Sequence, residues 1–287
     1  MAEQSLPRPA EPRWGATAGH LLRRPGLVLS GLIVLTVLGW AFAPGLFTSY
    51  DPLLIVPAER LQPPSADHLF GTDQLGRDLY ARVVYGAALS LRATVLAVVL
   101  ASVAGALLGT VAGLAGGKVD SLLMRLVDVL LAIPTLLLSL AVITVLGAGS
   151  TNIAIAVAAA MVARLARVMR AEVLRIRVAS YIEASRTAGA RWLSVLVRHV
   201  LPNAAGPVIV LATLEFGTVV LQISTLSFLG FGIPPPAPEW GSLVASGRNY
   251  LVSAWWLSAL PGLTIAAVVL AVNRIARAFE FERGEVG

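Results

Sequence analysis

Charged residues leave this chain for long intervals, and those intervals set its architecture. Positions 26–47 carry no charge, and at ~1.5 Å per helical residue they are long enough to cross a ~30 Å hydrocarbon core. A second charge-free interval lies between Arg92 and Lys118. A third, between Asp128 and Arg164, is too long for one helix, and Gly147-Ala-Gly-Ser-Thr-Asn152 divides it. Two more apolar runs follow, one containing Glu215 and one between Arg248 and Arg274. The pattern predicts spans at 26–47, 89–116, 122–146, 151–171, 204–227 and 254–275. The fold class is therefore an all-α polytopic membrane protein with six transmembrane helices. What remains is a tail (1–25), an outer segment (48–88), a polar loop (172–203), a second outer loop (228–253) and a C-terminal tail (276–287).

The first run has a rival reading as a signal peptide, since Ala41-Phe42-Ala43 imitates a cleavage site. The run exceeds the ~7–15 apolar residues of such a leader, and Pro44 directly after the site obstructs cleavage. It is read as a retained anchor, preceded by a Pro-rich, polar and disordered tail.

Orientation follows from Lys and Arg. Arg60, Arg77, Arg82, Arg92 and Arg248 fall on one side; the other seventeen of the 22 fall on the side of the N-terminus. By the positive-inside rule both termini and the 172–203 loop face the cytoplasm. Composition agrees with a membrane chain: 57% hydrophobic residues, 13% charged and a mean hydropathy of +0.80, where soluble domains run near 25% charged. The net charge of +6 then reflects this one-sided bias. No basic run is interleaved with aromatics on a soluble module, so nucleic acid is not expected as a partner. Cysteine is absent, which excludes disulfides and thiol chemistry, and His20, His68 and His199 are too scattered for a metal site.

Polar residues in or near the spans are the next candidates. An acid inside a membrane faces protein or water, and two roles fit Glu215: lining a substrate path, or packing against a partner subunit. Arg125 and Asp128, spaced i, i+3, share a helix face and are expected to pair near the inner interface. Pro134 should kink the third span. Gly105, Gly109 and Gly113 recur every four residues, a pattern for close helix packing. Trp40, Trp240, Trp255 and Trp256 fall near predicted outer span ends and read as interfacial anchors. In the second outer loop Pro234, Pro235, Pro236 and Pro238 hold the backbone extended, with Phe231 and Trp240 as apolar anchors. Such a loop suits docking of another protein or sealing of an outer mouth; the alternative is a packed re-entrant turn.

The most informative stretch is the polar island Tyr181-Ile-Glu-Ala-Ser-Arg-Thr-Ala-Gly-Ala-Arg-Trp192, continuing to Arg198-His-Val-Leu-Pro-Asn203. It predicts two short helices, broken at Gly189 and stopped at Pro202. Glu183 would sit in a first helical turn, where a carboxylate is favoured and can also meet a partner's arginine. Ala184 and Gly189 are small enough for close approach by another backbone.

The order Glu183-Ala184-Ser185, Gly189, Leu201-Pro202 resembles the EAA loop, the cytoplasmic signature of permease subunits of ABC importers. The outer segment carries Asp51-Pro52, His68-Leu-Phe-Gly-Thr-Asp73, Gly76-Arg-Asp78 and Tyr85-Gly86, and later come Leu226-Ser-Phe-Leu-Gly230 and Glu239-Trp-Gly241. Together, over about residues 50–273, these are similar to the dipeptide/oligopeptide permease family, and within it to the C-type subunit. The departures are Ser185 in the triplet, His199 before Val-Leu-Pro, and Gln222-Ile-Ser224 where relatives often carry an acid.

The resemblance implies the type I ABC importer permease (MetI-like) fold in a bacterial plasma membrane. It implies half of a translocation pathway completed by a homologous second permease, two ABC ATPase subunits and an extracytoplasmic substrate-binding protein. Glu183, Ala184, Ser185, Gly189, His199, Leu201 and Pro202 would form the ATPase-coupling element, and Phe231, Pro235 and Trp240 would dock the binding protein. Cargo would be di- or oligopeptides, with nickel chelates, glutathione and haem-like molecules as the family's alternatives. The chain shows no Walker A pattern, so ATP and Mg would be handled by the partners, with no cofactor and no catalytic residue here. A secondary transporter would usually show an internal repeat and an ion-coupling acid in a broken helix; Glu215 stands alone and the island would be unexplained. A membrane enzyme would need a nucleophile–base pair or a metal cluster at a membrane face, and none is present.

Overall fold

Pro25–Phe42 forms the first helix, α1, in a computed structural model that describes residues 25–187, 189 and 191–284. The predicted tail before Pro25 lies outside the described residues. α1 stops before a short turn, Pro44–Leu46, opened by Pro44, because proline has no N–H to continue the ladder. An irregular segment with one further short turn, Pro57–Glu59, leads to α2 (Leu79–Ala115). α2 begins ten residues before the apolar run, because Asp78 caps it: the carboxylate accepts the Ala81 N–H at 2.6 Å.

The predicted 122–146 span is not one helix. α3 (Gly117–Ala132) and α4 (Thr135–Leu146) meet at an angle of 98°. Pro134 forces this: Ile133 before it is pushed into extended backbone (φ −90°, ψ 130°), and the ring removes a helical hydrogen bond. Five described helices are long and apolar enough to cross a membrane, or six if the bent pair counts as one span. No strand occurs among the described residues beyond a single bridge between Thr72 and Asp78.

α5 (Ser150–Arg177) is the central helix, burying Ile153, Val157, Leu165, Met169 and Val173 against Ala97 and Ala101 of α2 and Ile143 of α4. The glycine row of α2 makes that contact possible. A Cβ on Gly105 would sit 2.6 Å from the Leu165 Cβ, and one on Gly113 would sit 2.7 Å from Val173 Cγ1. One on Gly109 would strike the Ala166 carbonyl and Met169. Any side chain there would push the two helices apart.

Two short helices follow, α6 (Ser180–Thr187) and α7 (Trp192–Val195). A wide π-turn (Leu196–Val200) then runs into α8 (Leu201–Leu226), and a second π-turn (Ser227–Phe231) ends it. α9 (Trp240–Gly247) and α10 (Trp256–Gly284) complete the chain. A second core joins Val37 of α1, Val83 and Ala87 of α2, Val220 of α8, Trp240 and Leu243 of α9, and Ile265 and Val268 of α10. Trp240 is fully buried and Trp256 nearly so, so neither is an interfacial anchor, whereas Trp255 is exposed.

Candidate functional site

The polar island is carried on the end of α5. Only Val178 and Ala179 separate Arg177 from Ser180, and the Ile182 N–H donates to the Ala179 carbonyl at 2.9 Å. One side of the island is anchored: Ile182, Val195 and Val200 are buried with Val173 and Ile176, and Leu201 packs against the same cluster. The other side is open. Tyr181, Glu183, Gly189, Arg191, Trp192, Val197, Arg198 and His199 are all exposed. The island thus presents a row of exposed aromatic, apolar and charged groups on a buried base.

Glu183 makes no ion pair with any described residue, and its backbone carbonyl accepts the Thr187 hydroxyl at 3.1 Å. Ser185 donates its hydroxyl to the Tyr181 carbonyl at 2.8 Å, so this departure from the motif is satisfied within its own helix. The side chain of Ala184 lies outside the described residues, as do Ala188 and Ala190. Gly189 breaks the island with φ +84°, a conformation that L side chains rarely adopt, and no atom lies within 4 Å of where its Cβ would be. Backbone conformation, not crowding inside this chain, requires glycine here.

Pro202 does not stop a helix. Helical backbone continues from Trp192 to Leu226, with Pro202 in the first turn of α8. The π-turn before it explains why. Its wider winding pairs the Leu201 N–H with the Leu196 carbonyl five residues back, relieving the clash a proline ring makes with the carbonyl four residues earlier. The Asn203 side-chain amide then donates to the His199 carbonyl at 2.6 Å.

The acids on the helices around α5 have partners that adjacency in sequence does not give, although the Asp128 pair is itself exposed. Asp128 pairs with Arg167 of α5 and not with Arg125, which is exposed and outside any described ion pair. Glu215 pairs with Arg164, tying α8 to α5 within this chain. Arg170 completes the set through a two-pronged contact with Asp120 of α3 (Nε–Oδ1 2.5 Å, Nη2–Oδ2 2.6 Å). The spacing of arginines at 164, 167 and 170 was the available sequence signal for this row.

At the other end of α2 lies a buried polar knot. Asp73 accepts the N–H groups of Leu75 (2.8 Å) and Arg77 (3.0 Å) and the Arg77 Nε at 2.7 Å, with Arg82 Nε at 3.6 Å. His68 Nδ1 lies 2.8 Å from Asp78, and its Nε2 lies 3.4 Å from Glu59. Arg82 donates to the carbonyls of Pro52 (3.0 Å) and Pro236 (3.3 Å), so the knot also holds the proline-rich loop of residues 228–253.

That loop is mostly a packed turn. The Trp240 indole donates to the Val83 carbonyl at 2.9 Å, and Glu239 caps α9 by accepting the N–H groups of Gly241 (3.1 Å) and Ser242 (3.0 Å). Trp240 therefore cannot be the exposed docking anchor that its sequence position suggested. Phe231 is half-buried against the main core, Pro238 is buried, and Pro234, Pro235 and Pro236 are exposed, as are Ser246 and residues 251–253 further along the loop.

Comparison with known proteins places this architecture. Residues 105–283 match the family described as binding-protein-dependent transport system inner membrane component. The di/tripeptide transport system permease protein DppC of Pseudomonas aeruginosa is 42% identical over 273 residues, covering 93% of this chain and 89% of that protein. The glutathione transport system permease protein GsiD of Escherichia coli O6:K15:H31 is 43% identical over 210 residues, covering 73% of this chain and 69% of that one. Among solved structures, an amino acid ABC transporter superposes with a TM-score of 0.54 at 16% identity, over 71% of this chain and 94% of that one. The MetNI methionine ABC transporter in an inward-facing form gives 0.52 at 21% identity, over 69% and 95%. The fold is that of the type I importer permeases, and with most of its length matched at this identity the chain belongs to the family of binding-protein-dependent transport inner membrane components.

Proposed function

We propose that this chain is one half of the translocation pathway of a peptide importer and that its island docks on a separate ATPase. The observation that carries the coupling reading is the division of the island into a buried side continuous with α5 and an open side bearing Glu183, Gly189 and His199. Force applied to the open side passes directly into the central helix of the bundle. The relatives named for di/tripeptide transport support peptides as cargo. The glutathione permease keeps a modified tripeptide as the second reading.

In this reading the chain pairs with a homologous permease, two ATPase subunits hydrolyse ATP with Mg, and a binding protein delivers cargo from outside. Both termini and the island lie in the cytoplasm of a bacterial cell. The chain itself contributes no covalent chemistry. It supplies a lever and a wall.

The test is ATPase activity stimulated by the loaded binding protein in reconstituted transporter. Glu183→Lys reverses the one acid on the open face, and Gly189→Arg adds both a strained residue and a bulky cation. Each is expected to abolish stimulation while the permease pair still assembles, since both sites lie outside the packed core. Near-normal stimulation in both variants would remove the coupling role from this island.

A further inference from the structure

α5 is at once the centre of the bundle and the helix that carries the island, and one face of it is bolted to its neighbours by charge. Arg164 meets Glu215 on α8, Arg167 meets Asp128 on α3, and Arg170 grips Asp120 on α3 with two parallel contacts. About two turns further along, Arg177 donates to the Gly113 carbonyl in the last turn of α2 at 2.8 Å. The acids of α3 are met in reverse order along α5, so the two helices run antiparallel at this contact. Beyond the 98° elbow, Thr135 opens α4 and its hydroxyl accepts from the Gln222 amide of α8 at 3.1 Å. The ties thus form a closed ring: α5 to α3, α3 through the elbow to α4, α4 to α8, and α8 back to α5.

Apolar packing is non-directional and lets helices slide past one another. Arginine–carboxylate pairs fix register and orientation, above all when both prongs are engaged. A helix pushed at one end and held only by apolar contacts could shift alone. Held at three successive turns by acids from two other helices, it must carry them along. We infer that Arg164, Arg167 and Arg170 are positioning residues that clamp α3 and α8 onto α5, so that displacement of the island turns these helices as one body. The inference rests on the island being the docking element, as proposed above.

The experiment uses the assembled transporter in proteoliposomes, with import of a radiolabelled dipeptide and ATP hydrolysis measured on the same sample. Asp120→Arg or Arg170→Asp alone should lower the amount imported per ATP hydrolysed by roughly fivefold or more while hydrolysis continues. The double variant carrying both changes should recover to within about twofold of native, as paired charges do in a double-mutant cycle. A structural pair with no part in coupling would lower the amount of assembled transporter, not this ratio. Where a charge reversal prevents assembly, Asp120→Asn with Asp128→Asn keeps side-chain shape, and a distance measurement decides. The chain has no cysteine, so spin labels at Leu122 of α3 and Ala171 of α5 report their separation directly. In native protein that distance should stay constant between nucleotide-free and ATP-bound states, and in the Asn variant it should change by about 2 Å or more. An unchanged import ratio in both single reversals, a double variant no better than either single one, or a native label distance that varies with nucleotide would each overturn the clamp. Loss of stimulation in Glu183→Lys and Gly189→Arg with normal ratios in the clamp variants would leave the docking site standing and remove only the clamp.

Discussion

The two ends of α2 present a contrast between polar groups that are satisfied and polar groups that are open. Thirty-seven helical residues, about 55 Å at ~1.5 Å each, separate Asp78 at one end from the turn at Gly116 near the island. Both ends look alike in sequence: short motifs of acid, arginine, glycine and proline between apolar runs. At the Asp78 end Asp73, Arg77, Asp78, Arg82 and Glu239 are all buried, and each makes hydrogen bonds inside the chain, although Arg82 Nε itself has no hydrogen-bond partner. At the island end, Glu183, Arg191, Arg198 and His199 stay exposed above a buried base. The first arrangement builds structure and the second offers a surface. A motif match alone cannot tell them apart; the destination of the hydrogen bonds can.

The sharpest way to break this contrast is at the buried end. Asp73→Ala removes the acceptor for Arg77 and two backbone N–H groups and leaves two arginines buried without their acid. It should cost about 3–5 kcal/mol, read as a lowered midpoint in detergent-denaturation curves of the purified permease. A midpoint no different from native would mean that the knot is open to water, like the island.

A smaller effect is expected at Trp240, where the comparison decides between anchor and core. Trp240→Phe keeps most of the volume and deletes the indole bond to the Val83 carbonyl, so about 1 kcal/mol of stability should be lost. Stimulation by the binding protein should be retained, because this ring never reaches the surface. Lost stimulation at native stability would restore Trp240 to the docking surface and leave the exposed Pro234–Pro236 tip without a special claim to it.

No change in stability is expected from the third measurement, which asks whether the two ends lie on opposite membrane faces. Ser65, Ser180 and Ser246 are exposed, and the chain is free of cysteine. Single Ser→Cys variants treated with an impermeant thiol reagent from outside should label at 65 and 246 only, following the arginine asymmetry. Labelling at 180 from outside would invert the orientation and with it the coupling argument.

Much was legible in the sequence because membrane insertion is a matter of local chemistry. Apolar runs, glycine spacing and one-sided arginines act on the chain residue by residue, so they gave an all-helical membrane bundle, the tight α2 face and the polar island on the end of a helix. Gly189 was also legible, since only local backbone conformation requires glycine there. Pro134 was recognised as a kink but not as a near right-angle elbow, because the angle depends on how α3 and α4 each pack after the break.

What only the tertiary structure decided is which polar group meets which. Asp128 had Arg125 three residues away, yet pairs with Arg167 from another helix. Glu215 had no nearby cation in sequence and found Arg164 on α5. Trp240 and Pro202 each carried a familiar local meaning, as interface anchor and as helix stop. One is overruled by a pocket built from α2, and the other by a π-turn that makes room for the proline ring. Periodicity and composition are properties of neighbours along the chain. Ion pairs, buried indoles and relaxed turns depend on helices brought together from far apart in sequence, and no local pattern specifies those distances.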